Sequence, residues 1–289
     1  MNTILGVITD WDLASQVFNR AKQFAKAYSA RLRIYCPVSD QLEEMNRYIG
    51  FDNYESVKQE ILAEANRRLE ALVGGDQNID WRVDWQTHRY KGVAEQAESH
   101  SADLIVMTMS QHHILADLLH KADDWHLLRE APCPVMLLSR AEHPFKSVVA
   151  AVDSLDESEE HQSLNGRILD EAQSLSKMMA LPLQVISVVP DPAYIYGDMS
   201  ATTLMVDYRT QAVNTARDNQ SALLSRLGIS PDKREVMVGR VEAVLEEAVK
   251  DTGILVLGTI ANKGWKGFFL GNTAERILGR IEGDVLVVN

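Results

Sequence analysis

The sequence contains an internal duplication. The apolar run "DLIVMT" at residues 103–108 returns as "GILVLGT" at 253–259, and "CPVMLL" at 133–138 returns as "GDVLVV" at 283–288. Both pairs are separated by the same offset of 150 residues, so the ends of the two halves align without gaps. Self-similarity over half of a chain indicates two copies of one domain.

The seam between the two copies lies in the segment "SRAEHPFKS" at residues 139–147, whose proline and charged residues suit a linker. A chain of 289 residues is long enough for two domains that each bury a core. Each half opens with an apolar run that ends in an aspartate, Asp10 or Asp153. We therefore predict one domain at residues 1–140 and a second at 147–289.

Each copy alternates short strands of Val, Ile and Leu with longer amphipathic segments, a pattern typical of a parallel sheet with helices on both faces. In the second copy the predicted strands are 147–153, 183–189, 233–239, 253–258 and 284–288, and the predicted helices are 159–179, 205–227, 241–251 and 272–281. The predicted fold class is α/β, with two tandem doubly wound domains that each contain a five-stranded parallel sheet.

Two further predictions concern the faces of these elements. The mixed polar positions of helix 205–227 are typical of a solvated helix. The alternation in "IDWRVDWQ" predicts a strand at residues 79–86 whose Trp81 and Trp85 face the core.

The composition indicates a soluble globular protein and argues against two classes of partner. The formal charge of −12 repels nucleic-acid phosphates, and no cluster of Lys and Arg relieves it locally, so we expect no direct nucleic-acid binding. The sequence contains no apolar run of membrane-spanning length and no signal-peptide pattern, so we expect a cytoplasmic protein without membrane contact. Cys36 and Cys133 lie at the ends of apolar runs, which predicts buried, reduced thiols.

The strongest candidate site is a glycine-rich loop in "LVLGTIANKGWKGFFLGNTAERIL" at residues 255–278. A buried strand ends at Gly258, and Gly271 precedes Asn272 and Thr273, which are residues suited to the start of a helix. A glycine loop with a helix N-terminus behind it is a backbone cradle for anions, and open α/β sheets bind ligands outside the carboxyl ends of their strands. The alternative is a tight strand-to-helix connection.

This loop and the duplicated strands, together with "FFLGNTAE" in the second half and "DWHLLR" in the first, resemble the universal stress protein family. The resemblance covers essentially the whole chain and is greatest to the tandem two-domain E-type members. It implies the adenine nucleotide α-hydrolase-like fold. ATP-binding members of that family carry a Gly-x2-Gly-x9-Gly-Ser/Thr pattern after the fourth strand and an aspartate after the first.

Matched to that pattern, Gly258 takes the first glycine position, Ala261 the second and Gly271 the third, and Asn272 stands in place of Ser or Thr. The resemblance implies that these residues and Thr273 line a ligand site in the second domain. Two diagnostic positions have changed, because alanine replaces a glycine and asparagine replaces a hydroxyl residue. An asparagine amide still donates to phosphate oxygens and still caps a helix.

The same resemblance assigns two more residues to the site. Asp153 would accept hydrogen bonds from ribose hydroxyls or from adenine, and Val188 would supply backbone groups to the base. For Asp153, the residues alone leave open a second role as the cap of the following helix.

The first domain lacks the loop. At the same offset Gly258 becomes Thr108, and the next three pattern positions become Gln111, Lys121 and Ala122, so we expect a degenerate first site without nucleotide. The segment that replaces the loop contains four histidines: His112, His113, His120 and His126. Helical spacing would bring His113, Asp117 and His120 to one face, as in a zinc site, but solvent-facing or capping histidines are the favoured interpretation. We therefore assign no metal ligands.

The sequence shows no constellation for covalent catalysis: it has no Gly-x-Ser-x-Gly elbow, no cysteine with an identifiable histidine partner and no marked carboxylate pair. We predict no catalytic residues and a binding protein, in which any ATP hydrolysis is slow. The resemblance implies a stress-response protein whose second domain binds ATP or a related anionic ligand, with Mg²⁺ as a companion ion and with roles that include tolerance of DNA damage. The alternatives are a scaffold that binds no nucleotide and a weak metal-dependent ATPase.

The resemblance also predicts how the chain assembles. Family dimers pair through the last strand of each domain, which implies that "PVMLL" at 134–138 and "VLVVN" at 285–289 pair within this one chain as an internal pseudo-dimer. The resemblance is also compatible with a homodimer of such chains.

Overall fold

The computed structural model describes residues 1–39, 53–108, 126–191, 203–250, 253–259, 272–281 and 283–289. These residues form two compact units, Met1–Arg140 and Ala141–Asn289. Each unit is an α/β domain built around five parallel strands, and the predicted fold class is confirmed.

In the described part of the first unit, five strands alternate with helices. The strands are β1 (Thr3–Val7), β2 (Arg31–Ser39), β3 (Asp80–Gln86), β4 (Leu104–Thr108) and β5 (Val135–Leu138). The helices are α1 (Ala14–Tyr28), α2 (Tyr54–Val73) and α3 (Arg89–Ser99), with a 3-10 turn at Trp11–Leu13 and a short helical segment at 126–130. The strand order is β3-β2-β1-β4-β5, and the strand pairs β1–β2, β1–β4, β2–β3 and β4–β5 are parallel.

The described part of the second unit repeats this plan. Its strands are β6 (Ser147–Ala151), β7 (Leu183–Pro190), β8 (Lys233–Gly239), β9 (Gly253–Gly258) and β10 (Val285–Val288). Its helices are α4 (Glu159–Met179), α5 (Thr203–Leu227), α6 (Val241–Val249) and α7 (Asn272–Leu278). The strand order is β10-β9-β6-β7-β8, and again the pairs are parallel.

The central strands form because β-branched and aliphatic residues cover both of their faces. All five residues of β1 and all five of β4 are buried, as are all four of β10, which is the continuous apolar run expected of a parallel sheet covered by helices. The outer strands β3 and β8 are half-exposed. This gradient explains why the central strands were the easiest elements to predict.

The second unit's elements lie where the sequence predicts them, with small differences at the ends. β6 stops at Ala151, two residues before the predicted end, and α7 stops at Leu278, three residues early. Helix α6 ends at Val249, and α5 begins at Thr203 rather than at 205. Helix ends fray and commonly shift by one or two residues.

Two predictions about faces are wrong. Trp81 is not a core residue: 37% of its surface is exposed, because β3 is an outer strand of its unit. Trp85 is half-buried, and its ring meets the ring of Tyr54 on α2 edge to face, so the prediction is wrong for Trp81 alone. Helix α5 is not solvated all round, because Ala216, Gln220 and Leu223 form a buried stripe along it. Their spacing of four and then three residues is the period of one helix face.

Both cysteines are buried, as predicted. Cys36 lies on β2 with 3% of its surface exposed, and burial raises the pKa of its thiol to about 12. Across the described ranges, no helix is both long and apolar enough to cross a bilayer.

Candidate functional site

The candidate site of the second unit lies where the strand order reverses. β6 and β9 are neighbours, with Ala150 paired to Val256, yet the chain continues from β6 towards β7 and from β9 towards β10, on opposite sides. Helices that follow these two strands therefore leave in different directions and open a crevice at the carboxyl ends. Such a point is the usual ligand site of an open α/β sheet. Asp153 follows β6, and Gly258 ends β9.

Asp153 is exposed at this crevice and holds a turn with one carboxylate oxygen. Its Oδ1 accepts hydrogen bonds from the backbone N–H groups of Leu155, at 3.0 Å, and Asp156, at 3.2 Å. Among the described residues, none donates to the other oxygen, Oδ2. The alternative role as a cap of the following helix is wrong, because the N-cap of α4 is Ser158, whose Oγ accepts from the N–H of His161.

A buried asparagine holds the backbone of Asp153. The Asn165 side chain on α4 is only 5% exposed, and its Oδ1 accepts from the Asp153 N–H at 3.1 Å. Its Nδ2 donates to the Asp153 carbonyl oxygen at 2.6 Å. Asn165 is not among the residues predicted from the sequence, and its one signal there is that a polar residue interrupts the apolar stripe that includes Leu164 and Ile168.

A second group of buried polar side chains supports the residue after Asp153. The hydroxyl groups of Ser154 and Ser187 form a hydrogen bond at 2.5 Å, and Gln220 donates from Nε2 to Ser187 Oγ at 3.0 Å. Asn219 donates from Nδ2 to the Ser154 carbonyl at 2.9 Å. Buried polar groups that are fully bonded fix one arrangement, so the loop after β6 is tied to both α4 and α5.

The groove beside Asp153 is small and acidic. It is a cavity of about 220 Å³ lined by residues that include Asp153, Asp156, Glu157, Asn165, Asn219 and Arg226. The pKa of Asp156 lies below its usual value, because the side chain and backbone of Ser158 hydrogen-bond its carboxylate and His161 lies close by. A groove of this charge suits hydroxyl and amine donors and disfavours phosphate. It is also smaller than the roughly 300 Å³ at which sites for drug-sized ligands begin.

Val188 presents backbone groups on the side of the crevice. The carbonyl groups of Pro182, just before β7, and of Ile186 accept from the N–H groups of Val148 and Val152 on the β6 side, whereas the Leu183 carbonyl accepts from Asp232 on the β8 side. Backbone groups alternate sides along a strand, so the N–H and C=O of Val188 face the β6 side. β6 ends at Ala151, and the Val152 N–H just after it donates to the Ile186 carbonyl. The N–H and C=O of Val188 therefore lie beyond the end of β6.

Gly258 is a glycine because α4 packs directly against it. A Cβ at this position would lie 2.6 Å from both Cγ and Cδ2 of Leu164, far inside ordinary carbon contact. The exit from β9 is fixed by Thr259, whose N–H donates to the Val288 carbonyl at 2.9 Å and whose Oγ1 donates to Asn289 Oδ1 at 2.8 Å. The glycine therefore has a packing reason that sequence reasoning did not identify.

The other residues of the sequence-predicted site are only partly within the described ranges. Asn272 and Thr273 are the first two residues of α7. Ala261 and Gly271 lie outside the described residues.

The first unit differs at each matching position. The Ile8 N–H donates to Tyr35 as the Val152 N–H donates to Ile186, so Thr9 rather than Asp10 takes the place of Asp153. Tyr35 and Ile186, the two acceptors, therefore correspond, and so do the residues two positions further on, Pro37 and Val188. A proline has no backbone N–H to donate. Thr108 ends β4 where Gly258 ends β9.

Asp10 itself is engaged elsewhere. Its Oδ1 accepts from the Asp12 N–H at 2.9 Å, and its Oδ2 lies 3.5 Å from Nη2 of Arg140 at the end of the same unit. The residues Gln111, Lys121 and Ala122 lie outside the described ranges.

Of the four histidines considered for a zinc site, only His126 lies among the described residues. His126 stacks on Tyr90, with ring centroids 4.8 Å apart, and its Nδ1 lies 2.9 Å from Nη2 of Arg129. His112, His113 and His120 lie outside the described residues. In the part of the chain that the structure describes, no group of three or more His, Cys, Asp or Glu side chains could hold a metal ion.

Comparison with known proteins agrees with this duplicated architecture. The model of the universal stress protein family matches residues 1–139 and again residues 144–289. The chain belongs to the universal stress protein family. The resemblance predicted from the glycine loop is therefore confirmed, and both halves of the chain carry a family domain.

Curated relatives place the chain beside the tandem E-type members. It is 23% identical over 281 residues to universal stress protein E of Photorhabdus laumondii and 24% identical over 282 residues to universal stress protein E of Escherichia coli K12. In both cases the match covers 93% of this chain and 88% of the relative. Similarity over almost the whole of both chains confirms the tandem E-type resemblance.

Solved structures show the same fold. A functionally unknown protein from Pseudomonas aeruginosa matches with a TM-score of 0.68 and 24% identity, covering 100% of this chain and 92% of that one. A universal stress protein from Archaeoglobus fulgidus matches with a TM-score of 0.60 and 16% identity, covering 100% and 96%. Tandem α/β domains of this kind thus occur in bacteria and archaea.

Proposed function

We propose that the second domain binds ATP or a related small anionic ligand in the crevice between β6 and β9, and that the first domain does not. The observation that carries the proposal is the state of Asp153. It stands at the point where strand order reverses, and among the described residues no donor engages its Oδ2 and no cation pairs with it. In the first unit the matching position is Thr9, and Asp10, the aspartate next to it, is paired with Arg140.

The two sides of the crevice, the groove at Asp153 and the glycine loop after β9, suit different parts of the ligand. The acidic groove around Asp153 suits the hydroxyl groups of a ribose, because carboxylates only accept hydrogen bonds at neutral pH. The backbone groups of Val188 suit the edge of a base. The phosphates would then lie on the side of the glycine loop, with Gly258, Ala261, Gly271, Asn272 and Thr273 as the residues that the family pattern assigns there.

Ala261 is the main departure from the family pattern. If that position needs a positive φ, an alanine costs about 1 kcal/mol relative to glycine. If it needs only close approach, the methyl group narrows the space for a phosphate. Either effect weakens binding without removing the other contacts.

In the cell we propose a cytoplasmic stress-response protein that supports tolerance of damaging conditions, DNA damage among them. Its action would depend on the ligand-bound state and not on a chemical step, so ATP hydrolysis is at most slow. The internal pairing of the two last strands, or pairing of whole chains into a homodimer, remains part of this proposal.

A second candidate is a scaffold that binds no nucleotide and acts through partner contacts. The changes at Ala261 and Asn272 favour it, because both stand where the family pattern has glycine or a hydroxyl residue. A weak metal-dependent ATPase is a third outcome that the same measurements would reveal.

The test combines ligand identification with a matched pair of variants. Mass spectrometry of small molecules released from the purified protein, followed by calorimetric titration with ATP and Mg²⁺, should show one site per chain. Asp153→Asn should weaken binding roughly tenfold to a hundredfold, the effect of losing a hydrogen bond to a charged group. Asp10→Asn should leave the affinity unchanged.

Gly271→Val should abolish binding, because its side chain would fill the cradle that the sequence predicts. No binding heat at millimolar ATP would make the nucleotide proposal wrong and favour the scaffold. Equal losses in the Asp10 and Asp153 variants would place the ligand elsewhere. Phosphate release that depends on Mg²⁺ would favour the ATPase.

A further inference from the structure

Two consecutive residues of α4, Leu164 and Asn165, contact the two sides of the crevice, at Gly258 and at Asp153. Leu164 packs against the backbone of Gly258 at the end of β9, so closely that no Cβ fits between them. Asn165 bonds to the backbone of Asp153 after β6. One turn of one helix thus contacts both strands at the reversal point.

The bonds of Asn165 require an asparagine. A side-chain amide offers one acceptor and one donor group, and Asn165 uses the acceptor for the Asp153 N–H and the donor for the Asp153 carbonyl. An aspartate in its place would set a carboxylate oxygen against that carbonyl. A glutamine would carry the same groups on a longer stem and would displace them from the Asp153 N–H and carbonyl.

Fixing the Asp153 backbone also fixes the direction of its carboxylate. With the backbone held, Oδ1 reaches the N–H groups of Leu155 and Asp156, and the geometry of a carboxylate then determines where Oδ2 points. A loop residue without this clamp would sample several rotamers, and each would aim Oδ2 differently.

We propose that Asn165 is the positioning residue for Asp153: it acts through Asp153, aiming the carboxylate at the ligand. This inference rests on the proposed function, since it concerns the same site. Its structural half, the ordering of the Asp153 turn, can be measured without any ligand.

The first measurement is hydrogen exchange of the free protein, followed at the amides of Leu155 and Asp156. Asn165→Ala and Asn165→Asp should each speed exchange there roughly tenfold, the size of one lost hydrogen bond, while amides in the middle of α4 change little. Leu175→Ala is the matched control, because Leu175 is buried near the other end of the same helix. This substitution removes packing without contacting the turn at Asp153. Unchanged exchange at the two amides in both Asn165 variants would overturn the inference.

The second measurement is the preference for a ribose. ATP and 2′,3′-dideoxyATP differ only in the hydroxyl groups that Asp153 would accept, so the native protein should bind ATP several-fold more tightly. Asn165→Asp, which keeps the side-chain volume, should bring this ratio close to one, as Asp153→Asn should, and the double variant should lose no more than either single one. Leu175→Ala should keep the native ratio.

The two measurements separate the two claims. If the native protein binds neither nucleotide, the proposed function fails, and the positioning inference fails with it as a statement about a ligand, whatever the exchange data show. If it binds ATP but the Asn165 variants keep the native ratio, the positioning inference alone is wrong.

Discussion

The contact between Gly258 and Leu164 gives the sharpest prediction, for the variant Gly258→Ala. The added Cβ would lie 2.6 Å from Cγ and Cδ2 of Leu164 and 2.7 Å from Cδ1. This is about 1 Å less than ordinary carbon contact, so the Leu164 side chain, α4 or β9 must shift. Leu164 is 6% exposed and has little open space to turn into. We expect a loss of about 1–3 kcal/mol in the unfolding free energy of the second unit, typical of an overpacked core.

The assay is a double-mutant cycle with Leu164→Ala. Alone, Leu164→Ala should cost about 2–5 kcal/mol, because it leaves a cavity. In that background Gly258→Ala should cost close to nothing, since the atoms it would strike are gone. Stability should be followed by hydrogen exchange of peptides from the second unit at increasing urea, because a two-unit chain need not unfold in one step.

Gly166→Ala is the matched control, since a Cβ there meets nothing within 4 Å and the residue lies on the same helix. It should be neutral or stabilise by about 0.5–1 kcal/mol. The reasoning is refuted if Gly258→Ala costs the same with and without Leu164.

Three further predictions concern other residues. The Cys36 thiol, with its pKa raised to about 12 by burial, should resist a thiol reagent at pH 8 in the native protein and react once urea unfolds the first unit; reaction of the folded protein at the rate of the unfolded one would contradict its burial. The Glu242 carboxylate accepts hydrogen bonds from its own backbone N–H and from Arg240, which hold the pKa of Glu242 below its usual value. These bonds stabilise the fold at pH values above the ordinary glutamate pKa, and the stabilisation is lost as the pH falls through the lowered pKa of Glu242. Glu242→Gln should therefore reduce stability at pH 7 and narrow its difference from the native protein in acid; an equal loss at both pH values would be the contrary result. Gln220→Leu should cost about 1–3 kcal/mol, because Ser187 would keep only its bond to Ser154 and the Glu235 carbonyl would lose the bond from Gln220. Gln173→Leu on α4 is the control and should cost less, because Gln173 is half-buried and not fully buried.

The sequence predicted the elements well because their signals are local. Strands such as β4 and β10 are short apolar runs, and the constant offset of 150 residues made each half a check on the other. Trp81 was assigned to the wrong environment, because alternation along a strand reveals its two faces but not whether the strand is at the edge of its sheet.

The site was harder to predict because it depends on register and on distant contacts. Both halves show an aspartate after the first strand, yet only the hydrogen bond of Ile8 to Tyr35 reveals that Asp10 is one residue too late to match Asp153. Asn165 lies 12 residues from Asp153 and has no motif that marks it. Its role follows from the approach of α4 to the crevice, which a linear pattern does not contain.

The proline on β2 has a consequence for anyone who would rebuild a second ligand site in this chain. A side chain lost by substitution can be restored by another substitution, but Pro37 has removed a main-chain donor, and no change elsewhere replaces it. Grafting a site onto the first unit would need Thr9→Asp, Pro37→Val and Thr108→Gly together, before the glycine loop itself is transplanted. Reciprocally, Val188→Pro would remove the N–H group that we propose for a base contact in the second unit, while leaving the side chains around Asp153 unchanged.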